Sequence, residues 1–179
     1  MRNWVLSGVL YTALALGANA GELGGYATGG MQKLVVLDEP VPLPEAMLLD
    51  ELEGTHPLSG FRGKWLVLNF WATWCAPCRQ EMPSLEALQL AMPDIAVLPI
   101  ATGRNMLPAI AAFYDEAGIV TLPVLRDPTS GLAHALGIMG LPVTVIVNPQ
   151  GEEVARLIGD ADWAGPDARA LLAAAVAGE

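Results

Sequence analysis

The chain has 179 residues, enough for one domain with a full hydrophobic core. Lysine and arginine total 9 against 19 aspartates and glutamates, a formal charge of −10. Scattered basic residues in an acidic protein give no electrostatic footprint for nucleic acid, so the acidity is read as solubility. The first element is an export signal: Arg2 supplies the positive end, Trp4 to Leu16 is mostly apolar, and Ala18-Asn19-Ala20 fits a small-residue cleavage site. Residues 1–20 are therefore expected to be a signal peptide removed after Ala20. The competing reading is an uncleaved N-terminal anchor, although the apolar stretch is short for a span of about 20 residues. Both readings place the rest of the chain in a periplasmic or extracytoplasmic compartment, soluble or N-terminally anchored, where disulfides persist.

Residues 21–44 are expected to form a linker and N-terminal extension. Gly21 to Gly30 has the small-residue composition of a flexible linker, Met31–Leu37 fits a short strand, and the three prolines of Asp38–Pro44 should break regular structure. Residues 45–179 are expected to form the main domain. Trp65–Trp71 is an apolar run that fits a buried strand. A helix should start at Cys75 or Ala76 and run to about Leu90, kinked at Pro83 by a missing backbone hydrogen bond. Asp94–Ala101 fits a second strand, apolar on both faces. A helix over Asn105–Ala117 should stop at Gly118, a third strand should cover Val120–Leu125, and Asp127 or Thr129 should cap a helix through Leu136. Val143–Val147 and Glu153–Ile158 read as a hairpin turned by Pro149-Gln150-Gly151, and Asp162–Val176 as the last helix, with Pro166 in its first turn. This order fits an α/β domain with a mixed central sheet. His56, beside Pro57, and His134 read as surface residues.

The only two cysteines, Cys75 and Cys78, stand two residues apart where a strand gives way to a helix. The first-turn N–H groups of a helix lack internal partners and carry partial positive charge, which favours a thiolate over a thiol. A cysteine so placed can have its pKa lowered into roughly the 3.5–7.5 range. Cys75 is thus the candidate nucleophile and Cys78 the resolving thiol one turn deeper. Pro77 suits the first helical turn, where its missing N–H costs nothing. Half of a zinc site is the first alternative, but structural zinc takes four ligands and neither histidine has ligand spacing to the pair, so no metal is expected. A purely structural disulfide is the second, but a bridge closing so short a loop constrains the unfolded chain little.

The stretch Asn69-Phe-Trp-Ala-Thr-Trp-Cys-Ala-Pro-Cys-Arg-Gln-Glu-Met-Pro83, with Gly140-Leu141-Pro142-Val143-Thr144 and Val147-Asn148-Pro149-Gln150-Gly151, resembles the thioredoxin superfamily and within it the TlpA-like thiol-disulfide oxidoreductases. The resemblance covers about 125 residues from near Leu48. It implies a thioredoxin fold: a mixed central sheet flanked by helices, with a helix-containing central insertion. Leu48–Gly63 would be the N-terminal hairpin extension and turn. It also implies that Cys75 and Cys78 form a redox-active disulfide, that Pro142 is a cis-proline facing the pair, and that Leu141 offers its backbone to an extended substrate strand.

Thioredoxins commonly carry an aspartate just before the Phe-Trp of the first strand; here that position is Asn69, which cannot transfer protons. Glu81 lies three residues after Cys78 on the same helix face and is expected to take the Cys78 proton instead, its pKa raised by partial burial. The alternative is an ordinary solvated glutamate. Trp74 and Pro77 should line the recognition surface with Leu141 and Pro142. The resemblance implies an enzyme without cofactor, reducing protein disulfides in cytochrome maturation or oxidase copper-centre assembly. Its partners would be apocytochrome or copper-site assembly proteins, with a membrane-embedded thiol reductase as electron donor, no nucleic acid, and membrane contact only through an uncleaved N-terminal segment. The alternatives are a general disulfide oxidant and a copper(I)-binding metallochaperone, since two thiolates suit a soft ion. Against the chaperone, Met82 and Met139 are expected in the core.

Overall fold

The structure, a computed structural model, describes residues 23–178. The expected signal peptide lies outside the described residues. Among those described, no helix is long and apolar enough to cross a membrane. The elements in chain order are β1 Leu34–Pro42, β2 Met47–Leu49, β3 Thr55–Pro57, β4 Leu66–Trp71, α1 Ala76–Ala91, β5 Ala96–Thr102, α2 Leu107–Ala117, β6 Leu125–Asp127, α3 Gly131–Ala135, β7 Val143–Val147, β8 Glu152–Ile158 and α4 Pro166–Ala177. The strands form one sheet in the order β1-β8-β7-β4-β5-β6-β2-β3. Strands β4, β5 and β6 run parallel; β7 returns antiparallel beside β4 and β8 beside β7. This is the mixed, helix-flanked sheet implied by the resemblance to thioredoxins.

Strand alternation sorts β4 onto two cores. Val67 and Trp71 face α1 and α4, packing with Met82, Leu85, Leu88, Leu171 and Leu172. Leu66, Leu68 and Phe70 face the other way, against Leu98, Ile100, Leu132 and Val143. Asn69 falls between Val67 and Trp71, so the period of two aims a polar side chain at α1. Thr144 on β7 is its direct partner across the strands, and both side chains are fully buried.

Three expectations are corrected. The prolines of Asp38–Pro44 do not end the strand, because β1 continues to Pro42. It lies at the sheet edge, where an outward N–H needs no partner, and its register on β8 shifts between Val36 and Val41. Over the described residues 23–30 the glycine-rich stretch is mostly exposed and touches the domain at a few points. Residues 24–26 and 29–31 form short 3-10 turns, Leu23 and Met31 are buried, and Gly30 N–H donates to Asp167 on α4 at 2.9 Å. The third strand spans Leu125–Asp127, not Val120–Leu125. The N–H groups of Val120, Thr121 and Leu122 point instead to the carboxylate of buried Glu86 on α1, at 3.0 to 3.2 Å, so they cannot join a ladder. The last helix starts at Pro166 rather than Asp162. Asp162 Oδ1 accepts from the Ala164 N–H and its carbonyl from the Gly165 N–H, a turn that competes with helix.

Elsewhere the expected elements stand within two or three residues. Asp127 does cap α3, its carboxylate accepting from the Gly131 and Ala133 N–H groups, though Ser130 occupies the boundary position. The β2–β3 hairpin carries exposed His56, whose Nε2 lies 2.7 Å from Asp50. His134 is exposed on α3.

Candidate active site

Strand β4 ends at Trp71, and the chain turns through Ala72–Trp74 into α1. The turn is braced from the β5–α2 loop. Asn105 Oδ1 accepts from the Thr73 N–H at 2.8 Å and the Thr73 hydroxyl at 3.0 Å, while its Nδ2 donates to the Thr102 carbonyl at 2.9 Å. Nothing in the local sequence pattern marks Asn105, because the contact spans 32 residues. Cys75 is the N-cap of α1, and its Sγ accepts from the Cys78 N–H at 3.3 Å. Cys75 and Cys78 are joined by a disulfide. Cys78 is fully buried, and Cys75 keeps 6% of its surface. The candidate nucleophile is therefore less exposed than the motif suggests, but of the two cysteines it is the one with any surface open to solvent.

The register Phe70↔Val143 sets the start of β7 beside the end of β4. Leu141 and Pro142, joined by a cis peptide bond, thus stand next to the strand end that leads to the cysteines. Leu141 is half-buried and Pro142 buried, while Pro77 is exposed in the first turn of α1. Trp74 is 69% exposed and Met139 93% exposed. The exposure of Met139 corrects its expected core position; Met82 is buried as expected. Beside Trp74, α1 and α2 enclose an open groove of about 660 Å³ lined by Thr73, Arg79, Gln80, Phe113 and Glu116. Arg79 bonds Glu116 at 2.8 Å and lies 4.7 Å over the Phe113 ring.

Glu81 lies on the buried face of α1, and only 4% of it is exposed. The solvated alternative is therefore wrong, and so is merely partial burial. Its Oε1 accepts from Asn69 Nδ2 at 2.8 Å. Its Oε2 accepts from the Ala161 N–H at 3.1 Å and from Trp163 Nε1 at 3.2 Å. Asn69 Nδ2 also donates to Thr144 Oγ1 at 2.9 Å. Burial pushes the Glu81 carboxyl up to about 7; the three hydrogen bonds pull it down and the negative charge of Asp160 adds to the rise. Asn69, which cannot itself move a proton, orients the carboxylate that can. Sequence reasoning missed Thr144, Ala161 and Trp163, which lie 63 to 82 positions from Glu81 in the chain. Among the described residues, no group of three or more His, Cys, Asp or Glu side chains could hold a metal ion.

A buried carboxyl poised near neutrality, one helical turn from a buried cysteine whose partner reaches the surface, can exchange a proton as the disulfide opens and closes. Residues 41–154 match the AhpC/TSA family. The chain is 32% identical over 111 residues to the thiol-disulfide oxidoreductase ResA of Geobacillus kaustophilus, covering 61% of this chain and 63% of that protein. It is 38% identical over 123 residues to the thioredoxin-like protein YneN of Bacillus subtilis, covering 67% and 71%. The chain thus spans less than two thirds of the ResA relative's length. Among solved structures, a DsbF homologue from Corynebacterium diphtheriae matches with a TM-score of 0.66 at 22% identity, over 84% of this chain and 96% of that one. A secreted thiol-disulfide isomerase from Corynebacterium glutamicum matches with the same TM-score and identity, over 82% and 91%. At that identity these two speak for the fold alone.

Proposed function

The chain belongs to the AhpC/TSA family, and on that premise we propose that it is a thiol-disulfide oxidoreductase whose redox pair is Cys75 and Cys78. The observation that carries this reading is the unequal burial of the two bridged cysteines at the head of α1, with Glu81 buried a turn further on. In the reducing direction, the Cys75 thiolate attacks one sulfur of a substrate disulfide and expels the other as a thiolate. Glu81 takes the proton of Cys78, and the Cys78 thiolate attacks Cys75. The second substrate sulfur leaves as a thiolate, the two substrate thiolates take up protons from Glu81 and from water to give the dithiol, and the protein, having given up two electrons, holds the Cys75–Cys78 disulfide. The α1 N-terminus stabilises the Cys75 thiolate both as nucleophile and as leaving group.

Trp74, Pro77, Leu141 and Pro142 form the surface that meets the substrate, with backbone at Leu141 available to an extended segment. Export, and reduction of disulfides during cytochrome maturation or oxidase copper-centre assembly with electrons from a membrane-embedded reductase, are the finer parts of the proposal. They rest on the N-terminal segment and on the resemblance of the Cys75–Cys78 stretch to TlpA-like oxidoreductases. The deciding experiment for direction is the reduction potential of the pair, read from the redox equilibrium with glutathione or dithiothreitol. A value as low as that of thioredoxin, about −270 mV, is expected for a reductant; one near −120 mV makes the protein an oxidant.

A further inference from the structure

The contacts of Glu81 are unevenly divided between its two oxygens. An ionised carboxylate offers about four acceptor positions. Oε2 receives two donors, the Ala161 N–H and the Trp163 indole N–H, both from the segment between β8 and α4. Oε1 receives one, from Asn69. Asn69 makes that donation with its own buried Oδ1 left without a partner, so its amide is oriented by the acceptors Glu81 and Thr144 alone. The remaining acceptor position of the carboxylate is on Oε1.

We propose that Trp163 is a positioning residue for the proton-transfer step: with the Ala161 amide it holds Oε2 as the permanently hydrogen-bonded oxygen, so that the proton of Cys78 passes to Oε1. The proposal rests on the reading of Glu81 as the acceptor in thiol-disulfide exchange. The indole is fully buried and has no other hydrogen-bond partner for its N–H than Oε2. Its donation favours the ionised carboxylate against the cost of burial. The segment that carries it is anchored at both ends. The Gly159 N–H donates to the Pro142 carbonyl at 2.9 Å, and the Trp163 N–H donates to the Ser84 hydroxyl on α1 at 3.0 Å. Trp163 is thereby held against α1 independently of the state of Glu81.

The titratable groups facing Glu81 are few. Cys78 is on the same helix. Asp160 comes from the β8–α4 segment and is exposed, paired with Lys33 at 3.4 Å. β4 and β7 present only the uncharged Asn69 and Thr144.

The test is the ionisation midpoint of Glu81, read from its side-chain carboxyl carbon by NMR in the oxidised protein, where no thiol titrates. Trp163→Phe removes the donor and keeps an aromatic ring. The midpoint should rise by about one pH unit, the equivalent of one charge-assisted hydrogen bond. The rising limb of the pH profile for mixed-disulfide resolution should move by the same amount. Leu172→Ala, which loosens the same core without touching the hydrogen bond, should leave the midpoint in place. A midpoint unmoved in Trp163→Phe, or moved equally by Leu172→Ala, overturns the proposal. Should Trp163→Phe fail to fold, the wild-type indole N–H resonance decides: it must shift with the Glu81 midpoint, and a pH-independent resonance overturns the assignment. These midpoints are measured without turnover, so a protein lacking exchange activity would refute the enzymatic reading while leaving the hydrogen-bond result separately legible.

Discussion

Cys75→Ser is expected to reduce disulfide exchange to the uncatalysed background, whereas Cys78→Ser should leave a protein that reacts once and remains joined to its substrate. The difference follows from the geometry of the pair. Cys75 caps α1 and reaches solvent; Cys78 has no accessible surface. With Cys78 replaced, the Cys75 thiolate can still attack, but no neighbouring thiol resolves the mixed disulfide. With Cys75 replaced, the remaining thiol is buried and meets substrate only if α1 opens. Incubation of each variant with a disulfide-containing protein, followed by non-reducing electrophoresis, should give stable adducts for Cys78→Ser and few for Cys75→Ser. Equal adduct formation by the two variants would remove the assignment of roles.

Glu81→Gln should slow resolution of the mixed disulfide by about 100-fold, the usual loss when a positioned acid or base is removed. The pH profile should lose the ionisation near 7, since activity in the wild type rises as the carboxyl becomes able to accept a proton. Asn69 Nδ2 lies 2.8 Å from Oε1, so adding Asn69→Asp returns a carboxylate beside position 81 and should restore part of the rate. A Glu81→Gln enzyme within twofold of wild type from pH 5 to 9 would send the proton directly to water.

The same substitution carries a stability signature. The carboxyl's ordinary value is 4.5 and burial raises it to about 7 in the fold, so the folded state binds the proton more tightly than the unfolded chain. The resulting stabilisation is complete below the unfolded value and is lost as pH rises through the folded one. The interval corresponds to roughly 3 kcal/mol. Urea unfolding of the oxidised proteins at pH 4 and pH 8 should show the wild type losing about that much relative to Glu81→Gln. A pH-independent difference between them would mean that Glu81 does not titrate in this window.

The strand-to-helix site was legible in the sequence because its information is local. An apolar run, a Cys-x-x-Cys and a helical repeat lie within 18 residues, and the i to i+3 relation of Cys78 to Glu81 follows from helix geometry alone. The depth of Glu81 was not legible, because its partners Thr144 on β7, Ala161 and Trp163 arrive through the sheet order and the turn into α4. Proline misled over Asp38–Pro44, since its tolerance depends on whether a strand is at an edge, and that is set by topology. Val120–Leu125 misled for the converse reason. Its residues favour a strand, but the carboxylate of Glu86, more than 30 residues away, takes their N–H groups. Met139, apolar in composition, stands at the surface beside the Leu141–Pro142 segment, where an exposed methionine suits an adaptable contact with varied partners.

The most direct test of Cys75 as nucleophile and Cys78 as buried resolving thiol is the rate at which iodoacetamide labels each thiol of the freshly reduced protein at pH 7, read by peptide mass analysis. Cys75 should be modified first, with Cys78 still free when Cys75 labelling is complete. Equal labelling rates, or Cys78 reacting first, would contradict the division of roles on which the proposed exchange rests.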